Sequence, residues 1–149
     1  KCSIRDKWYI IPSVWVPDAF FLRRNNLYPK FVLNRCGAVS TDTMHRMKFN
    51  EGVTPENILL AYYNSISFAF TEICGRSYGG GVLEVLPGEM GNILLPKVET
   101  VNLNGEDIET ALNIVDEELL IKTLGIDSEI CRKCRVIWKK MQRRRLGRG

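Results

Sequence analysis

The sequence predicts an α+β fold: a small mixed or antiparallel N-terminal sheet packed on a central buried helix, then a C-terminal helical hairpin. Three observations predict it. Short aromatic and β-branched runs broken by turn residues fill the first third of the chain. A helix-start signal at Thr54-Pro55-Glu56-Asn57 opens a long apolar run. Beyond Pro96, apolar residues recur at helical spacing. The 149 residues suffice for one domain, or one with a small appendage.

In chain order, Trp8-Tyr9-Ile10-Ile11 reads as a strand closed by Pro12. Ala19-Phe20-Phe21-Leu22 is a second strand, and Arg23-Arg24-Asn25-Asn26 after it reads as a turn. Phe31-Val32-Leu33 is a third, followed by a turn at Gly37. From Thr43 to Phe49 the pattern alternates, with Arg46 and Lys48 on one face and His45, Met47 and Phe49 on the other. Thr54 as N-cap and Pro55 at the first position start a helix that the pattern carries to Cys74, with Gly75 as a left-handed stop. Because that helix is apolar nearly all round, it is expected at the centre of the fold. The run Gly79-Gly80-Gly81 precedes a strand over Val82–Leu86, and Ile93-Leu94-Leu95-Pro96 is a further short extended piece.

The chemistry changes near residues 97–104, which divides the chain into an α+β unit at 1–97 and a helical hairpin with a basic tail at 98–149. Ile108, Leu112, Val115 and Leu119 make one helical stripe, and Gly125 ends that helix. Asp127 or Ser128 caps the last helix, where Ile130, Cys134, Ile137 and Met141 form the expected stripe with Trp138 beside it.

Charge is sorted into blocks. Residues 1–50 hold nine Lys/Arg against three Asp/Glu, and residues 131–149 hold nine against none. Between them, residues 51–97 carry a net −3 and residues 98–130 a net −8. Basic blocks around an acidic stretch point to a surface that meets a polyanion. An alternative stays open for the tail: Asp116 or Glu117 pairs with cations of the last helix, and the tail neutralises its neighbour.

Several chemistries fit poorly. Five scattered cysteines do not form a secreted disulfide framework, and the lone Cys131-x-x-Cys134 pair lacks the partners of a zinc site. The glycine run follows a helix and opens a strand, the reverse of a phosphate-binding loop. Its simpler use is a turn with positive backbone angles or a close backbone approach. A triad would have to draw on His45, Ser65 or Ser77 with Asp42, and a metal nuclease on Glu84, Glu89 and Lys97. No apolar stretch has membrane-spanning length and no signal peptide is visible, so a cytoplasmic location without membrane contact is expected. The start at Lys1 suggests a fragment of a longer protein.

The order of motifs Thr41-Asp42-Thr43-Met44-His45-Arg46, Tyr62-Tyr63-Asn64-Ser65, Gly75-Arg76-Ser77-Tyr78-Gly79-Gly80-Gly81 through Pro87, and Leu94-Leu95-Pro96 resembles the C-terminal part of bacterial adenine-specific DNA methyltransferases of restriction–modification systems. Trp8-Tyr9 with Pro12 and Pro17-Asp18-Ala19-Phe20-Phe21 fit its front, and the Arg-Arg-Leu-x-Arg-Gly end fits its back. The resemblance implies a target-recognition region for double-stranded DNA, with S-adenosylmethionine bound by a separate catalytic domain of the same protein. The catalytic Asn/Asp-Pro-Pro-Tyr/Phe motif of that family is missing, since no Pro-Pro occurs. No catalytic, cofactor or metal residue is therefore assigned to this chain.

On that reading, polar side chains read base edges and cations hold phosphates. The candidate base readers are Asn25, Asn26, Asn34, Thr41, Thr43, His45 and Arg46. The backbone candidates are Arg23, Arg24, Arg35 and Lys48, with Arg76 and Tyr78 touching either the DNA backbone or the catalytic domain. The N-terminal basic block is the expected centre of contact. The competing reading is a protein-interaction or structural domain without DNA contact.

Overall fold

The computed structural model describes residues 7, 15–97, 103 and 105–147. The expected strand at Trp8–Ile11 lies outside the described residues. The fold is α+β, as expected. One antiparallel sheet has the order β3-β1-β4, from β1 (Ala19–Leu22), β3 (Phe31–Leu33) and β4 (Met44–Met47). A second has the order β2-β6-β5, from β2 (Arg24–Asn25), β5 (Arg76–Tyr78) and β6 (Val82–Glu84).

β2 corrects the expected turn at Arg23–Asn26. Arg24 stands opposite Glu84 in the β2–β6 register, and both Arg23 and Arg24 donate to Glu84 Oε1, at 2.9 and 3.3 Å. The cross-strand charge pair makes a strand of residues that look turn-forming in sequence. The turn comes after it: buried Asn25 donates to Leu22 O at 2.7 Å and accepts from Lys30 N at 2.9 Å.

The long helix expected over 54–74 is broken into α1 (Pro55–Tyr62) and α2 (Ser65–Cys74). Asn64 causes the break. Its side chain accepts from Ser67 N at 2.8 Å and so caps α2, a bond that competes with a continuous helix. Ser65 N then donates to Asp116 Oδ1 at 2.8 Å, so the new helix start has a distant partner. Gly75 is not the left-handed stop predicted, since its φ is −75°. It is needed for space: a Cβ there would lie 2.8 Å from both Leu83 Cδ1 and Thr71 O. After the short α3 (Pro87–Met90), residues 91–97 form no helix or strand.

α4 (Ile108–Val115) begins at Asp107, whose carboxylate accepts from the amides of Glu109 and Thr110. It widens into a π-helical segment, Asp116–Thr123, that buries the consecutive Leu119 and Leu120. Leu112, Val115 and Leu119 of the expected stripe are buried, and Ile108 packs against the core. α5 (Ser128–Arg145) starts at Asp127 as predicted but turns a different face inward. Its buried residues are Cys131, Trp138 and Arg145, whereas Ile130 and Ile137 are 48% and 41% exposed. The heptad spacing of the buried set follows the large indole, which packs edge-on against Phe68 at 5.0 Å, and the carboxylates that draw cations inward.

One core runs through both parts of the chain. Phe21, Phe31, Tyr62, Phe68, Leu83 and Val85 share a buried cluster with Leu112 and Trp138 from the C-terminal helices. A second cluster joins Val115, Leu119, Leu120 and Cys131.

Candidate nucleic-acid interface

The sheet β3-β1-β4 positions a ten-residue irregular connection, Asn34–Thr43, between β3 and β4. That exceeds the usual connection of about 4–6 residues. Its base is tied by Asn34, whose amide donates to Pro17 O and Ala38 O, both at 2.8 Å, and accepts from Ala38 N at 2.9 Å. Arg35 reaches Glu56 at 2.9 Å and so links the connection to α1. Beyond these ties, Val39, Thr41, Asp42 and Thr43 are exposed. Arg46, on β4 opposite Phe20, places its guanidinium 5.2 Å from the Trp15 ring centroid.

Apart from the half-buried Arg46, the candidate base readers separate into two groups. Asn25, Asn34 and His45 turn inward: the two amides close turns, and His45 Nε2 donates to Val85 O at 2.6 Å beside the Phe21 ring. Asn26, Thr41 and Thr43 are exposed, with Asn26 donating to Gly81 O at 3.4 Å.

The backbone candidates are all exposed or half-exposed, and their cations already meet carboxylates. Arg23 and Arg24 share Glu84, Lys48 holds Asp18 at 2.8 Å, and Arg76 holds Glu89 at 2.7 Å. Lys48, with the amide of Phe49, holds the Asp18 carboxyl below its usual range. The Leu86 amide and then Arg76 do the same for Glu89, whose carboxylate caps α3. For Glu84, burial pushes the carboxyl up, but bonding to Arg24 and the charge of Arg23 outweigh it. Tyr78 is exposed at the lip of the glycine run.

The glycine run packs against the end of α5. Gly81 has φ +80°, and a Cβ on it would meet Leu146 Cδ2 at 2.8 Å. This is the close-approach use of glycine, and it leaves no helix start there for a phosphate. Glu84 and Glu89 are occupied by arginines, Ser65 bonds Asp116, and no three His, Cys, Asp or Glu side chains cluster to hold a metal ion among the described residues. Burial, followed by the charge of Asp116, pushes the Cys131 thiol up to about 11, and burial raises Cys134 too, so both are thiols at neutral pH.

The acidic stretch pairs with the inner face of α5. Arg135 donates to Asp116 Oδ2 at 3.0 Å, to Glu109 Oε2 at 3.3 Å and to Ser65 Oγ at 2.6 Å, and Lys139 also meets Glu109. Glu117 pairs with Lys122 instead, at 3.9 Å. Arg145 is the most buried cation among the described residues. Its Nη2 and Nε donate to Glu72 at 2.8 and 3.3 Å, and its Nη1 donates to the main-chain oxygens of Asn26 and Gly81. Lys140, Arg143 and Arg144 are exposed and meet no carboxylate among the described residues. The sequence leaves open whether the tail meets phosphate or pairs with the acidic stretch, and these three are the part of it that stays unpaired among the described residues. Their signal was the spacing of Lys140 and Arg144, one turn apart and opposite Trp138.

No described helix is long and apolar enough to cross a membrane. The chain matches no curated protein and no solved structure. The model of one family, described as "Type II methyltransferase M.Eco57I, C-terminal domain", matches residues 1–126. That span takes in both sheets, the Asn34–Thr43 connection, α1 to α4 and the π-helical segment. The chain therefore belongs to the family of type II methyltransferase C-terminal domains typified by that of M.Eco57I.

Proposed function

We propose that this C-terminal domain is the DNA target-recognition part of an adenine-specific, S-adenosylmethionine-dependent methyltransferase of a restriction–modification system. The observation that carries the reading is the long polar connection Asn34–Thr43, braced at its base by Asn34 and free along its outer part. A rigid base with exposed polar residues suits a recognition loop, because contacts that read bases lose least when the loop is already ordered. Thr41 and Thr43 are its base-edge contacts, with Arg46 and Asn26 at its flanks. Arg35 and Lys48 exchange weak surface ion pairs for phosphates, and exposed Arg24 reaches them by leaving the buried Glu84 to Arg23.

Methyl transfer and the cofactor belong to a separate catalytic domain, since this chain has no Pro-Pro and its glycine run ends at Gly81 against Leu146. The target base has to leave the stack for that chemistry, and the recognition part holds the opened duplex in register. Arg76 and Tyr78, beside the glycine run, are the contact to that domain or to the DNA backbone. The location that suits this work is the cytoplasm.

The test is selection of preferred duplexes from a randomised library by the 149-residue chain. Enrichment of one short sequence is the expected result, and it should relax on Thr43→Ala or Arg46→Ala. A pool that stays random through repeated rounds would remove the recognition role and favour a domain that contacts only protein.

A further inference from the structure

α5 carries two sets of cations with opposite fates. Arg135, Lys139 and Arg145 face inward, each on a carboxylate from another element. Lys140, Arg143 and Arg144 face outward and meet none among the described residues. Lys140 and Arg144 are one turn apart, about 6 Å along the axis, and Arg143 lies beside them.

Like charges at this spacing repel, and a terminal helical turn ordinarily frays. This turn is instead pinned. Arg145, whose side chain is 1% exposed, grips Glu72 and the carbonyls of Asn26 and Gly81. Gln142 donates to Leu27 O, and Leu146 sits against Gly81. The helix dipole favours Arg143 and Arg144 in the last turn, but its effect has faded by Lys140. The fold thus holds three unneutralised cations in fixed register at the edge where Asn26 and the glycine run end.

We propose that Lys140, Arg143 and Arg144 form a phosphate-backbone contact, separate from the recognition connection, that holds the duplex without reading sequence. Their charge is complementary to a polyanion, and the pinned turn lets them meet it without first becoming ordered. The proposal rests on the DNA-recognition reading above and adds a second contact to it. It also explains why Arg145 is excluded from that contact although it sits in the same arginine run: its guanidinium is the buried pin.

The experiment compares the chain with its Lys140→Ala/Arg143→Ala/Arg144→Ala variant, by fluorescence anisotropy on a preferred and a random duplex across a salt series. All three side chains are exposed, and an unchanged thermal transition checks that the variant folds. The slope of log K against log salt should become shallower by about 2–3, and affinity should fall about tenfold or more at low salt for both duplexes alike. The preference ratio between them should stay the same. A slope equal to that of the unmodified chain would overturn the proposal while leaving the recognition reading intact. A loss confined to the preferred duplex would overturn it as well, by making these residues readers. Absence of salt-dependent binding by the unmodified chain would remove both.

Discussion

The inner face of α5 and the N-terminal third both hold cations on carboxylates, but the two regions use the same pair chemistry differently. Arg145–Glu72 is buried on both sides, with side-chain exposures of 1% and 2%, and it joins helices distant in sequence. Arg35–Glu56 is mostly in water, at 75% and 50%. A buried pair positions an element because breaking it strands a charge; an exposed pair can be traded for another anion at little cost. Basic residues thus act as structure where burial holds them and keep their charge available to an outside anion where it does not.

Breaking the buried side should have the largest effect. Glu72→Ala leaves the Arg145 guanidinium buried and unmatched, which should cost about 3–5 kcal/mol in denaturant unfolding. Replacing the pair together, as Glu72→Leu with Arg145→Met, should recover most of that loss. A double variant as unstable as Glu72→Ala alone would mean the carbonyl bonds to Asn26 and Gly81 matter more than the charge pair. Next is Asp116→Asn, which weakens the anchor shared by Ser65 N and Arg135 and should cost about 1.5–3 kcal/mol. On the exposed side, Arg35→Ala should change stability by only about 0–1 kcal/mol.

Acid sharpens the comparison further. The Asp18 carboxyl is lowered in the folded state by Lys48 and the Phe49 amide. Its contribution is therefore present above its unfolded value of 3.8 and is lost as pH falls through the lower folded value. Asp18→Asn should flatten that part of the stability–pH curve, lowering stability at neutral pH while leaving it nearly unchanged at pH below the folded value. A variant curve parallel to that of the unmodified chain below pH 4 would show that the Lys48–Asp18 bond is not held in solution.

Local signals survived the passage from sequence to structure, and long-range ones did not. Pro55 and Asp127 mark helix starts because each acts within the first turn, Pro55 through its fixed φ and Asp127 by accepting from the Glu129 amide, whereas Thr54, the expected N-cap, makes no side-chain cap bond. The stripe through Leu112, Val115 and Leu119 was readable because apolar burial repeats with the helix. Arg145 was not, since its partner Glu72 is 73 residues away and an arginine in a basic run reads as solvated. The same distance effect hid the α5 face and the β2 strand, both fixed by carboxylates on other elements. The break at Asn64 had a local signal, Asn64-Ser65 within an apolar run, but the apolar pattern outweighed it. For the candidate interface, residue type pointed equally to Asn34 and Thr43. Only the bonds of Asn34 to Pro17 and Ala38 separate the brace from the exposed loop.

The most direct test of DNA recognition is fluorescence anisotropy of the 149-residue chain against a random-sequence duplex at two salt concentrations. The account predicts binding at low salt that falls steeply as salt rises, because phosphate contacts release counterions. Binding that does not change with salt, or no binding at low salt, would contradict it.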